Sequence, residues 1–486
     1  MIKRFLILFS FLVLIFISCS DDHSLLRTSG EAEVSADLDK IRKKGKLVAI
    51  TDFNSTNYFI YKGEPMGFNY ELLRAFADNI GIDLEIITEN HIEHALGMLN
   101  SGEADLIAIG ITVNSTRKKE MLFTEPIDET RQVLIQRKPG NWRNMTAMAI
   151  DKRLIRNQLD IAGKVVYVQQ GSSHAERMRT LSQEIGDSIT IIEVPFESEQ
   201  LIKNVAEGEI DFTVCDENVA QVNSTYYPDI DINTPVSFPQ KLAWGVRKND
   251  SDLLLKELNR WIASFKNTQS FALLHSKYFR NSRSSTIVRS DYYALSTGKV
   301  SKYDDLIRQF SDTINWDWRL LASLICQESR FDSEATSWAG AYGLMQVLPE
   351  TGERFGIDIT SSPKNNIKAG ARYINWLHSI YDQKVPDETE RINFVLASYN
   401  AGPGHVLDAM KLAEKNGIDA TKWVNVEKWL LKKSDPKYFN DAVVKSGYFR
   451  GTESVAFVSE ILDRYEHYKN IIPAEIMKQE IVRSGR

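Results

Sequence analysis

Apolar positions along the chain change rhythm several times. Residues 5–17 are almost wholly apolar, preceded by Lys3 and Arg4 and ended by Ser18-Cys19-Ser20-Asp21-Asp22. Residues 21–37 are small and polar, with no apolar period, as in a solvated tether. From about 38 to 280, short apolar runs alternate with stretches of helical spacing. A strand is predicted at 46–51, then a helix carrying Leu72, Leu73, Phe76 and Ile80. A strand at 84–88, a helix at 92–100 and a strand at 105–109 follow. This β-α-β-α-β order predicts an α/β sheet with parallel strands. Residues 281–301 are Ser-rich and aperiodic, and are read as a linker. Beyond them apolar residues recur only at helical spacing: Leu306, Ile307 and Phe310, then Leu320, Leu321, Leu324 and Ile325. Further helices are predicted at 349–355, 367–381, 390–399, 404–416 and 452–468. The chain therefore ends in an all-α domain, 302–470, and a tail, 471–486.

Composition adds boundaries. At 486 residues the chain is too long for one core, and two to four domains are expected. A net charge of −6 argues against a nucleic-acid partner. The 5–17 run is too short to span a bilayer comfortably and, with its basic start, reads as an export signal. No later segment is apolar enough for a transmembrane helix. Ser18 directly before Cys19 resembles the lipobox of bacterial lipoproteins, although Phe16 stands where Leu is usual. The resemblance implies removal of residues 1–18, lipidation of Cys19, and a tether, 19–37, to a membrane. The expected location is the periplasmic side of the outer membrane. The remaining cysteines, Cys215 and Cys326, fall in different domains, so no disulfide is expected. The eight His form no HExxH or Cys/His cluster; neither a metal nor another cofactor is expected.

Two sets of residues carry chemistry. Gly110-Ile111-Thr112-Val113-Asn114-Ser115-Thr116-Arg117 follows a predicted strand end, where open α/β sheets hold ligands. Arg117 there could grip a carboxylate in bidentate fashion, though Arg117 taken alone better suits a surface ion pair. Tyr58, Phe59 and Tyr61 fit either ligand stacking or strand core. Thr112, Arg117 and the segment Phe123-Thr124-Glu125-Pro126 resemble the periplasmic solute-binding proteins for polar amino acids. Gly171-Ser172, between a strand at 164–168 and a helix, resembles their anion-binding turn. Asp216, ending Phe212-Thr213-Val214-Cys215-Asp216, matches the acid that takes the ligand ammonium. The resemblance implies two α/β lobes over 38–280, the second (138–236) inserted into the first, closing by hinge motion on an amino-acid or muropeptide ligand.

The second set lies in the helical domain. Glu328-Ser329, Gly343-Leu344-Met345-Gln346, Pro349-x-Thr351, Asn366-Ile367-x-x-Gly370-x-x-Tyr373 and Tyr399-Asn400-Ala401-Gly402 occur in this order. Together they resemble the soluble-lytic-transglycosylase-type catalytic domain, whose fold is lysozyme-like. Fused to a solute-binding-like module, they resemble the membrane-bound lytic murein transglycosylase F family. The resemblance implies peptidoglycan glycan strands as partner and Glu328 as catalytic acid and base. It implies cleavage between MurNAc and GlcNAc with closure of a 1,6-anhydro ring. Ser329, Gly343, Met345, Gln346, Tyr399 and Asn400 are the expected glycan-binding residues. Ser329 also fits helix capping, Tyr399 core packing, Met345 a groove wall, and Gln346 and Asn400 the satisfaction of backbone groups. Phe457 stands where the family usually has Tyr. Glycoside cleavage needs a proton donor, and a Glu protonated near neutral pH needs burial beside groups such as Leu324, Ile325, Phe331 and Met345. Two alternatives are a hydrolytic muramidase of lysozyme type and a non-catalytic binding lipoprotein.

Overall fold

A computed structural model describes residues 36–186, 188–279 and 294–472. The signal, Cys19, most of the tether, the linker stretch 281–293 and the tail beyond 472 lie outside the described residues.

Helix α1 (Ala36–Lys44) leads into β1 (Lys46–Thr51), in which five successive residues are buried, as in a strand covered on both faces. A hairpin, β2 (Phe59–Tyr61) and β3 (Glu64–Met66), precedes α2 (Phe68–Ile80), which buries Leu72, Leu73 and Phe76. Then come β4 (Asp83–Thr88), α3 (Ile92–Ser101), β5 (Leu106–Thr112), β6 (Leu122–Phe123) and β7 (Asp128–Thr130). The chain crosses into a second sheet at β8 (Gln132–Arg137). This sheet continues with α4 (Ala147–Asp151), β9 (Val165–Gln169), α5 (Ser173–Ile185), β10 (Thr190–Val194) and α6 (Ser198–Glu207). It ends with β11 (Phe212–Asp216), α7 (Glu217–Ser224) and β12 (Ile230–Pro235). The chain returns through β13 (Gln240–Val246) and closes the first lobe with α8 (Asp252–Phe265) and α9 (Gln269–Phe279).

The sheet orders are β4-β1-β5-β13-β6, with β7 beside β13, and β10-β9-β11-β8-β12. Pairs made by successive βα units are parallel, as the alternation predicts. The strands that cross between lobes, β8 and β13, are antiparallel to β11 and β5, because a chain that leaves one sheet and returns must run backwards.

The rest is helical: α10 (Ala294–Thr297), α11 (Asp304–Asp312), α12 (Trp318–Ser329), α13 (Pro349–Arg354), α14 (Pro363–Tyr381), α15 (Glu388–Ala401), α16 (Pro403–Lys415), α17 (Trp423–Lys432), α18 (Pro436–Phe439) and α19 (Thr452–Ile471). Helix α12 is the axis of this domain. Asp317 caps it by accepting from Arg319 N, and every residue from Trp318 to Cys326 is buried. A helix apolar all round must be central. Ser323, fully buried, donates to Ile461 O at 2.7 Å and so ties α12 to α19.

The two bodies share core. Ile60 of β2 belongs to the helical domain's apolar cluster, and Ile471 of α19 packs against that of the first lobe. Both nitrogens of buried His467 face phenols of the first lobe, Tyr58 Oη at 2.6 Å and Tyr70 Oη at 3.3 Å. Asn470 donates to Ile86 O at 2.7 Å. Tyr58 and Phe59 are thus core and contact residues.

Candidate active site

Helix α12 stops just after Glu328. Arg330 N closes the last turn on Cys326 O at 2.9 Å, and Arg330 and Phe331 both take positive φ, 51° and 63°. Two consecutive non-glycine residues in this region turn the chain sharply away and leave Glu328 at the helix end. Its side chain is partly buried, and burial pushes its carboxyl from the usual 4.5 up to about 8. Among the described residues no hydrogen bond or ion pair reaches it. Asp332 and Glu334 are engaged elsewhere: Asp332 accepts from Glu334 N at 2.9 Å, and Glu334 from Tyr342 Oη at 2.8 Å.

The expected glycan residues converge on the turn 343–346, beside Glu328. Ser329 Oγ donates to Leu344 O at 2.8 Å, and Tyr399 Oη to Met345 O at 2.7 Å. Gln346, itself at φ 44°, donates from Nε2 to Ala335 O and Gly343 O, both at 2.9 Å. Met345 lies fully buried against Gly370. Three of the side chains therefore build the turn with their polar atoms. Asn366 was part of a motif but had no assigned role. It is 1% exposed, accepts from Met345 N at 2.9 Å and donates to Tyr342 O at 2.8 Å. Gly343, φ 76°, is needed beneath it, since a Cβ there would stand 2.5 Å from Asn366 Nδ2.

Exposed Asn400 accepts from Ser454 Oγ at 2.5 Å, which leaves its amide N–H groups free to donate outward. Burial pushes the Tyr399 phenol well above its ordinary value, and the nearby Glu328 charge adds to this. From Tyr399 an aromatic row leads outward through Tyr373 (centroids 5.3 Å) to Trp376 (5.6 Å, stacked), with the Arg354 guanidinium 4.0 Å from the Trp376 ring. Flat apolar faces edged by polar groups suit pyranose rings. Phe457 is 7% exposed and packs in the core.

The lobes of the first module enclose a second cavity, about 400 Å³, lined by Asp52, Asn57, His174, Glu197, Glu199 and Asp216 among others. Asp216 sits at the end of β11, its Oδ1 buried and without a hydrogen-bond partner among the described residues. Both ring nitrogens of His174, whose Nε2 is 3.7 Å from Asp216 Oδ1, are also unpartnered. Arg117 opens a 3-10 turn after β5, within electrostatic reach of Glu176 and Asp216. Thr112 is buried at the end of β5. Ser172 Oγ caps α5 by accepting from Ala175 N, and Gly171 N donates to Glu193 Oε2 at 3.1 Å. Thr112, Arg117, Gly171 and Ser172 are not among the residues lining this cavity, whereas Asp216 is.

Three cavity acids had no signal in the sequence. Asp52 is pushed to about 7, chiefly by burial, and Glu197 and Glu199 are raised for the same reason. Glu199 crosses between lobes to accept from Ser55 N at 3.0 Å and from Ser55 Oγ. Among the described residues one group of metal-binding type, Glu89, His91 and His94, brings its donor atoms within 4.8 Å of one another. Cys215 and Cys326 are buried free thiols. No helix among the described residues is long and apolar enough to cross a membrane.

Comparison with known proteins agrees with this division. Residues 46–281 match the bacterial extracellular solute-binding proteins, family 3, and residues 305–422 match the transglycosylase SLT domain. Solved structures similar to the first module include holo ArgBP from T. maritima, 23% identical over 49% of this chain and 99% of that one, TM-score 0.40. A membrane-bound lytic murein transglycosylase F from Desulfosudis oleivorans is 34% identical over 432 residues, 88% of this chain and 91% of the relative. One from Pseudomonas fluorescens is 29% identical over 443 residues, 89% and 87% of the two chains. The chain belongs to the membrane-bound lytic murein transglycosylase F family.

Proposed function

We propose that this enzyme cleaves the β-1,4 bond between MurNAc and GlcNAc in peptidoglycan and leaves 1,6-anhydro-MurNAc ends, with Glu328 as both acid and base. What carries the proposal is the setting of Glu328: it stands at the end of α12 beside the turn 343–346, burial raises it to about 8, so that it is protonated at neutral pH, and among the described residues no hydrogen bond or ion pair engages it. In the first step Glu328 gives its proton to the glycosidic oxygen as the bond to MurNAc C1 breaks, and GlcNAc leaves with a free hydroxyl. The 2-acetamido oxygen of MurNAc shares the positive charge at C1. The Glu328 carboxylate then takes the proton of the C6 hydroxyl, and O6 bonds to C1 as the acetamido group withdraws. Glu328 ends protonated and no water is consumed. Hydrolysis of lysozyme type relies on a second carboxylate; the engagement of Asp332 and Glu334 elsewhere favours the single-acid route. Asn400, Tyr373 and Trp376 are the proposed sugar contacts, with Ser329, Gly343, Met345, Gln346 and Tyr399 holding the turn that frames Glu328.

Mass spectrometry of products from purified murein tests this. Anhydro ends, one water lighter than hydrolysis products and resistant to borohydride, are expected, and none from Glu328→Gln. Reducible ends would establish hydrolysis, and cleavage by the Gln variant would remove Glu328 from its role.

The first module is proposed to take an amino-acid- or muropeptide-like ligand between its lobes and to modulate cleavage. Asp216 Oδ1 and the His174 ring nitrogens, without hydrogen-bond partners among the described residues and facing the cavity between the lobes, support a bound ammonium or other donor. Arg117, Thr112, Gly171 and Ser172, which stand outside the cavity lining in this lobe arrangement, are proposed to meet its carboxylate when the lobes close. Saturating peptide should change the cleavage rate in the parent enzyme and not in Arg117→Ala; a constant rate in both would end the idea. A lipid anchor on Cys19, holding the enzyme at the periplasmic face of the outer membrane, is supported by the membrane-bound designation of its relatives. Loss of acyl labelling in Cys19→Ser tests it.

A further inference from the structure

From the end of β4 into the first turn of α3 the chain reads Glu89-Asn90-His91-Ile92-Glu93-His94. The backbone here is fixed: Glu89 N donates to Thr51 O at 3.1 Å, and Asn90 Oδ1 accepts from Phe53 N at 2.7 Å. On this frame both imidazoles turn Nδ1 toward one carboxylate. Glu89 Oε1 lies 3.1 Å from His91 Nδ1, and Oε2 lies 3.3 Å from His94 Nδ1. The ring centroids are 5.6 Å apart, and one donor atom from each residue fits within a 4.8 Å set.

Capping α3 needs only the His91 N–H, which Glu89 Oε1 does accept at 2.7 Å. It does not call for two rings aimed at the same carboxyl. A tetrahedral ion with bonds of about 2.0–2.1 Å holds its ligand atoms about 3.3 Å apart; each Nδ1 stands near that distance from one oxygen of Glu89, and one donor atom from each residue lies within 4.8 Å of the others. Two imidazole nitrogens and one carboxylate oxygen suit Zn²⁺, Co²⁺ or Ni²⁺, and not the all-oxygen preference of Mg²⁺ or Ca²⁺. The positive end of α3 opposes a cation. Glu89 offsets it, and so does Glu197 of the second lobe, which hydrogen-bonds Asn90 and lies within electrostatic reach of both Glu89 and His91. His91 and His94 are mostly exposed, so an ion can enter from solvent.

We propose that Glu89, His91 and His94 form a site for a divalent transition metal of the zinc class, with Glu197 across the lobe seam as a further oxygen donor. An ion there would add a cross-lobe tie beside the Ser55–Glu199 hydrogen bonds.

The test is titration of the tag-free enzyme with Co²⁺, read by its visible absorption, followed by displacement with Zn²⁺. One Co²⁺ per chain is expected, with an intense low-coordinate spectrum abolished by one equivalent of Zn²⁺. Single His91→Ala and His94→Ala variants should weaken binding at least about tenfold, and the double variant should abolish it. Circular dichroism in chelator, expected to match the parent, confirms that each variant is folded. Absence of a stoichiometric Co²⁺ spectrum in the parent, or its persistence in the double variant, overturns the site. Unchanged affinity in Glu197→Gln overturns the cross-lobe donor.

Discussion

The hydroxyl of Tyr468 donates to the carbonyl of Gly63 at 2.7 Å, joining the tip of the β2–β3 hairpin to the last helix of the catalytic domain. A Cβ on Gly63 would stand 2.6 Å from Phe331 Cε2, 2.6 Å from Tyr468 Oη and 3.0 Å from Cys326 Sγ. The solute-binding module therefore touches the helix end that carries Glu328. The hairpin also continues from Asp52, Asn54 and Asn57, which line the cavity between the lobes.

Gly63→Ala should accordingly destabilise the whole chain. It meets side chains on three sides and imposes a φ of +81° on a residue with a Cβ, for a combined loss of about 1–3 kcal/mol. Tyr468→Phe removes only the hydrogen bond and should lose about 1 kcal/mol. Urea unfolding of both variants measures this. Parent-like stability in Gly63→Ala would mean that the hairpin does not seat against α12 and α19.

The pH dependence of Glu328 has a definite sign. Its folded pKa, about 8, lies above its ordinary 4.5, so the native state holds the extra proton between these values. Stability from this group is complete below about pH 4.5 and is lost as pH rises toward 8. Glu328→Gln, neutral throughout, should therefore match the parent near pH 5 and exceed it near pH 8, by a margin on the order of 1–3 kcal/mol. The turnover rate should fall as pH passes 8, because the proposed proton donor is being lost. Denaturant titrations at pH 5 and pH 8, with a rate profile over the same range, check both statements.

How much of this was legible depended on the range of the signal. Strand β1 and helix α12 are continuous apolar runs, so local spacing sufficed for them, whereas Asp216 stood out only through the resemblance of its stretch to solute-binding proteins. Helix α17 was also within reach. Trp423, Val426, Trp429 and Leu430 recur at helical spacing, but aromatic and β-branched residues are weak helix formers and burial decides their state. The partners of Ser329, Tyr399 and Gln346 were not legible, because a motif fixes which residues gather and not whether their polar atoms face substrate or backbone. Tyr58 and His467 are 409 positions apart, and only docking of the two bodies makes them neighbours. The Glu89, His91 and His94 group escaped because its spacing becomes a chelate only where a strand turns into a helix.

Asn366 should prove the least replaceable side chain around Glu328. It is buried, and its amide holds Met345 N and Tyr342 O together across the turn. Asn366→Ala leaves the buried Met345 N–H unpaired, removes the bonds to Tyr342 O and Ile359 O and opens a cavity, and should lose about 2–4 kcal/mol. Tyr399→Phe gives up the single bond to Met345 O, about 1 kcal/mol, and should lower turnover more than substrate affinity, since it loosens the frame of the acid. Thermal unfolding together with separate kcat and KM values distinguishes the two effects.

The same domain buries a charge pair that the proposed chemistry does not use. Lys433 is fully buried, its Nζ 3.0 Å from Asp408 Oδ2 and 3.0 Å from His405 Nδ1, while Asp408 also accepts from Lys445 N at 2.9 Å and Ser446 N at 2.7 Å. Burial by itself would raise the Asp408 carboxyl. The two backbone N–H groups and the ammonium outweigh it and hold the group below its usual 3.8. A depressed carboxylate contributes stability that is present above its unfolded pKa and lost as pH falls through its folded one. Lys433→Met leaves the carboxylate buried without its cation and should lose about 3–5 kcal/mol. Adding Asp408→Asn should recover part of that loss, because the amide keeps an acceptor for the 445–446 backbone and carries no charge. A double-mutant cycle at pH 7 should therefore give a coupling of at least about 1 kcal/mol, shrinking in acid as Asp408 is protonated. Strict additivity of the two substitutions at pH 7 would show that the backbone N–H groups, and not Lys433, hold Asp408 in its charged form.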